Sequence, residues 1–66
     1  MITKIEAQGW LVGDDEVAIF TDIQNKILKC RIDNIEDDMI CEKLHITRSV
    51  LERNEEDMLE QMDVPF

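Results

Sequence analysis

Sixty-six residues, sixteen acidic against seven basic side chains and a net charge of −9 describe one small acidic domain. Such a chain has no room for a large catalytic cleft and its scaffold, and no apolar run approaches the ~20 residues of a membrane helix. Its charge opposes capture by nucleic-acid phosphate or anionic lipid.

With 44% apolar residues, a packed core is expected. Trp10, Phe20 and Phe66 are the only aromatic residues, so that core must rest on Ile, Leu, Val and Met. A single core of this size supplies about 3–5 kcal/mol, and small domains usually add a staple. Cys30 and Cys41 are the only cysteines. The first ten residues carry no apolar stretch or small-residue cleavage site of an export signal. The expectation is a reducing, cytoplasmic setting with free thiols, which leaves self-association into a homodimer as the favoured staple.

Ile2 to Val12 is rich in Ile, Val, Trp and Thr and predicts a first strand, bulged at Gly9. Gly13-Asp14-Asp15 is a turn signal, and Glu16 to Thr21 a short apolar strand. After a polar break at Asp22–Asn25, residues 26–33 alternate, with Leu28, Cys30 and Ile32 on one side and Lys29, Arg31 and Asp33 on the other. Ile19, Ile23, Ile27 and Cys30 also recur at helical spacing, with Asp14 or Asp15 as a cap; the β-branched content and the alternation favour strands. Residues 34–38 predict a polar turn or a helix N-terminus, and Met39 to Ile46 is open between strand and helix. Thr47 or Ser49 can cap a last helix, Ser49 and Glu52 have capping-box spacing, and the helix runs to about Met62 before Pro65. The predicted fold is α+β: an antiparallel β-meander of three or four strands packed against a C-terminal α-helix.

The charge is concentrated at one end. Residues 33–66 hold eleven acids against three bases, a net −8, whereas residues 1–32 amount to −1. On a helix over 49–62, Leu51, Met58 and Met62 share one side, with Val50 and Leu59 at its margins. Glu52, Glu56, Glu60 and Asp63 form a row opposite; Glu55 falls near the apolar edge. Like charges one turn apart cost an isolated helix roughly 0.2–0.5 kcal/mol per pair. A row that works against its own helix invites a functional explanation: carboxylates about 5–6 Å apart can engage Arg and Lys on a partner, or imitate a run of phosphates. Glu36, Asp37 and Asp38 add to this anionic surface.

Asp37 to Asn54 resembles the helix-turn-helix segment of DNA-binding regulators. Ile40, Leu44, Ile46 and Leu51 match its apolar positions, and Cys41 stands where a small residue lets the two helices approach. The resemblance implies a recognition helix carrying Thr47, Arg48, Ser49 and Arg53 toward a major groove. The chain departs from the pattern at His45, which replaces the turn glycine, and at Asn54, where an apolar residue is usual. Glu52, Glu55, Glu56 and Asp57 would repel a phosphate backbone.

No catalytic constellation is evident. Cys30, Cys41 and His45 could supply three zinc ligands, with a carboxylate such as Glu42 completing the set, but two thiols and a lone imidazole read more simply as packing residues. Asp33, Glu36, Asp37 and Asp38 lack the spacing of a calcium loop. Neither cofactor nor metal is expected. The expected function is that of a small non-enzymatic protein-binding regulator or inhibitor, of the size seen among phage and plasmid proteins, which occludes a basic surface of its target. The alternatives are a helix-turn-helix transcriptional regulator acting through Arg48, Ser49 and Arg53, and a homo-oligomeric assembly module built on the Met-lined helix.

Overall fold

The computed structural model describes residues 2–10 and 16–62. Among them are four α-helices and no strand: α1 (Lys4–Trp10), α2 (Asp22–Ile32), α3 (Asp37–Leu44) and α4 (Arg48–Met62). The fold is therefore all-α, and the predicted β-meander is corrected to three helices and a loop. The turn expected at residues 13–15 and the stop at Pro65 lie outside the described residues.

Hydrogen bonds at the helix ends overturn the first predicted strand. Thr3 and Glu6 form a reciprocal cap: the Glu6 N–H donates to Thr3 Oγ1 at 3.2 Å, and the Thr3 N–H donates to Glu6 Oε1 at 3.3 Å. Two N–H groups that a nascent helix would leave bare are thereby satisfied. The apolar run that follows becomes α1, which buries Ala7 and packs on α2.

The segment expected as a second strand, 16–21, is a loop wrapped on the side chain of Asn25. The Val17 N–H donates to Asn25 Oδ1 at 2.8 Å, and Asn25 Nδ2 lies 3.2 Å from the carbonyls of Val17 and Thr21 and 3.4 Å from that of Phe20. Phe20 is thereby held edge-on to Trp10, with ring centroids 6.0 Å apart and planes at 77°. Ile19, expected on an apolar face, points outward at 56% exposure.

A second reciprocal cap, between Thr21 and Gln24, starts α2. Its buried side chains are Gln24, Asn25, Ile27, Leu28, Cys30 and Arg31, a helical stripe that overlaps the alternation of 28, 30 and 32. That coincidence made the segment resemble a strand. The helix ends without glycine: Asn34 takes φ 61°, and the N–H groups of Asn34 and Ile35 donate to the carbonyls of Arg31 and Cys30 at 3.1 and 3.0 Å. The same pattern closes α3, where His45 takes φ 56° and Ile46 donates to Cys41 at 3.0 Å. The open segment Met39–Ile46 is thus helix as far as Leu44.

A non-glycine residue in the left-handed region costs roughly 1–2 kcal/mol, part of which glycine gives back through the entropy of the unfolded chain. His45→Gly is expected to stabilise the fold by about 0.5–1 kcal/mol, raising the thermal midpoint by about 4 °C. A melt followed by circular dichroism that shows no rise, or a fall, contradicts this.

Thr47 begins α4, accepting the Val50 N–H at 3.3 Å. The helix matches the predicted one to within a residue, though its cap is Thr47 rather than Ser49. Leu51 and Met58 are fully buried; Val50 and Met62 are partly exposed. Together with Ile2, Ala7, Phe20, Ile27, Leu28, Cys30 and Ile40, Leu51 and Met58 form the core, to which α2, α3 and α4 all contribute. Among the described residues no helix is long and apolar enough to cross a membrane.

Candidate functional site

The segment 37–54 folds as helix, three-residue turn, helix. Ile40 and Leu51 are fully buried, and Cys41, Leu44 and Ile46 pack against the core. His45 does the work of the turn glycine by adopting its left-handed conformation. Asn54, at a position usually apolar, is half-buried and donates to the Val50 carbonyl at 2.8 Å. The segment thus has two helices joined by a short turn, with the four apolar positions of the resemblance on its inner side.

A buried ionic knot sets the position of α4. Arg31, only 6% exposed, reaches across from α2. Its Nε lies 3.0 Å from Glu55 Oε2, its Nη2 pairs with Glu55 Oε1, and its Nη1 pairs with Asp37. Glu55 Oε2 also accepts the Ile2 N–H at 3.0 Å. Three helices therefore meet at the Arg31 guanidinium, and the Glu55 carboxylate also holds the Ile2 N–H. Burial alone lowers the pKa of a guanidinium, but hydrogen bonds and charges from Glu55 and Asp37 outweigh it and hold Arg31 above its usual value. The helical projection already set Glu55 on the apolar edge, and an acid in an apolar stripe requires a cation behind it. That signal could have named the knot, although not Arg31 as the partner.

The predicted anionic residues divide into two groups. Glu52, Glu56 and Glu60 are exposed on α4, and none is in an ion pair among the described residues. Asp63 lies outside the described residues. Asp37 and Asp38 instead face Arg48, whose Nη2 lies 3.1 Å from Asp37 Oδ2 and whose Nη1 lies 3.2 Å from Asp38 Oδ1. Arg48 and Asp38 are well exposed, so their contact adds little to stability. It does offset charge on both aspartates. Glu36 stands exposed at the N-terminal edge of α3 and does not join the row.

Between α3 and α4 lies a cleft of about 340 Å³ lined by Asp37, Arg48, Glu52, Glu55 and Glu56. The side of α4 that would face a DNA groove therefore offers Ser49 and Arg53, a partly neutralised Arg48, and the carboxylates of Glu52 and Glu56. Asp57 is also exposed and is held by Gln24 Nε2 at 2.7 Å and Gln61 Nε2 at 2.9 Å.

Cys30 and Cys41 are free thiols, and His45 is exposed. Burial pushes the Cys30 thiol above its ordinary value, against the pull of the Lys43 ammonium. Among the described residues no three His, Cys, Asp or Glu side chains converge as metal ligands. The chain matches no family model, and comparison with curated proteins and with solved structures finds no significant match.

Proposed function

We propose that this chain is a non-enzymatic protein-binding regulator: a helix-turn-helix scaffold whose last helix meets a basic surface of a partner with carboxylates and occludes it. The observation that carries the reading is the exposed row Glu52, Glu56, Glu60, one turn apart and free of ion pairs among the described residues. Such a row raises the encounter rate with a cationic surface, and its attraction fades with salt. A partner that normally binds nucleic acid has the matching charge. In this reading the protein acts in the cytoplasm, as small phage and plasmid regulators do, and carries no catalytic step of its own.

Glu56→Lys separates the roles of fold and surface. It removes two like-charge pairs and places a cation one turn after Glu52, so it is expected to stabilise the helix by about 0.5–1 kcal/mol. Combined with Glu52→Lys and Glu60→Lys, it is expected to abolish capture of an arginine-rich helical peptide and of lysate partners at low salt. Capture that survives the triple reversal counts against the reading.

DNA binding is the second reading, favoured by the left-handed His45 turn and by Ser49 and Arg53 on exposed positions of α4. A low-salt gel shift distinguishes the two. Tight duplex binding that Arg53→Ala removes would establish the second and displace the first.

A further inference from the structure

The positive charges of this protein divide by whether a carboxylate holds them. Its buried guanidinium, Arg31, and its half-exposed one, Arg48, are tied to carboxylates. Lys26, Lys29 and Lys43, like Lys4 and Arg53, are exposed and form no ion pair among the described residues, in a chain with sixteen acids. The first three share one cleft of about 440 Å³ between α2 and the end of α3, with Asp33 at its margin and Cys30 and Leu44 in its wall. Lys29 and Lys43 lie in the last turns of their helices, where a cation suits the helix dipole. That accounts for neither Lys26 nor the convergence of all three.

We propose that this lysine cleft is a docking surface for the Glu52–Glu56–Glu60 row of a second copy of the chain, joining copies head to tail. Charge complementarity selects this occupant. The carboxylates rise along α4 at about 6 Å per step, and Lys26 and Lys29, three apart on α2, are about 5–6 Å apart. The two surfaces share no residue, so one copy can use both at once. A contact between unlike faces grows into an open chain or closes into a ring. Two bodies of charge −9 repel at long range, but at about 0.1 M salt the screening length is ~10 Å, which quenches that repulsion more than a direct lysine–carboxylate contact. At about 1 M salt the screening length falls to ~3 Å and the contact is lost too. Self-association covers the same row that a foreign partner would need, and it stands whether or not such a partner exists.

Sedimentation velocity on the full chain at about 0.1 M salt tests this, from micromolar to millimolar protein. The weight-average mass is expected to climb from the monomer value with concentration and to return to it at high salt. Lys26→Glu/Lys29→Glu alone and Glu56→Lys/Glu60→Lys alone are each expected to stay monomeric. Mixed one to one, the pair is expected to associate again, because the acidic row of the first meets the lysine cleft of the second and their reversed faces are also of opposite sign. All four positions are exposed, and unchanged helicity by circular dichroism verifies folding. A wild-type chain that stays monomeric, variants that associate as the wild type does, or a mixture that fails to pair overturns the proposal. Lys26→Glu/Lys29→Glu retains the acidic row, so it is expected to capture the arginine-rich peptide normally. Loss of peptide capture by the wild type, with self-association intact, would sink only the foreign-partner reading.

Discussion

Arg31→Met is expected to leave the protein mostly unfolded at room temperature. The substitution keeps the length of the side chain but strands the Glu55 carboxylate, 5% exposed, without its cation. Removing one partner of a buried pair costs about 3–5 kcal/mol, as much as a core of this size supplies. Arg31→Lys is not expected to rescue it, since one ammonium cannot address both oxygens of Glu55 and also reach Asp37. The double change Arg31→Met/Glu55→Met should recover most of the loss, because no fully buried charge remains and Asp37 keeps Arg48. Recovery stays incomplete, as the Ile2 N–H then has no acceptor. Urea melts of the four proteins, followed by helical signal, check this. A single Arg31→Met whose stability falls by less than about 1 kcal/mol would show that the knot is an ornament of a fold held elsewhere.

Asn25→Ala is expected to cost about 2–3 kcal/mol, from the lost amide and the loop groups it leaves unpaired. Its side chain serves both polar groups of Val17 and the carbonyls of Phe20 and Thr21 from one 5%-exposed position. The damage should be local at first. The 16–21 loop loosens, Phe20 leaves the edge of Trp10, and amide exchange rises there before it rises in α4. Trp10 fluorescence that shifts before the helical signal melts would show the order of events. A variant in which exchange at α4 rises together with the loop would contradict it.

How far these features could be read from the residues differs along the chain. The last helix was legible because length, capping threonine and apolar spacing agreed there, and tertiary packing had only to accept the result. The first half was misread for particular reasons. Thr3-Lys4-Ile5-Glu6 and Thr21-Asp22-Ile23-Gln24 both spell a helix start, but β-branched Ile and Thr around them pointed to strands. The helix stops were hidden as well, since Asn34 and His45 adopt the left-handed turn where glycine would have announced it. In α2 the periods of two and of 3.6 agree on Leu28 and Cys30 and part at Arg31, which the alternation turns outward and the helix buries, so pattern alone could not decide.

The anionic row was read correctly as exposed at Glu52, Glu56 and Glu60, because an i, i+4 series has only one face to occupy. Its companions were not, since the charge state of a surface depends on what lies across from it. Asp37 and Asp38 lost their freedom to Arg48, eleven and ten positions away in the chain, and Asp37 also to Arg31.

From composition and order alone, these residues are bound to be acidic, charged chiefly over 33–66, and to include an amphipathic helix near 49–62; each of these follows from counting or from contacts within one turn. The packing of α1 on α2, the burial of Arg31 against Glu55, and the gathering of three lysines at one cleft were decided only by the assembled fold. Each depends on groups distant in sequence, and their energies exist only once the chain has closed around them.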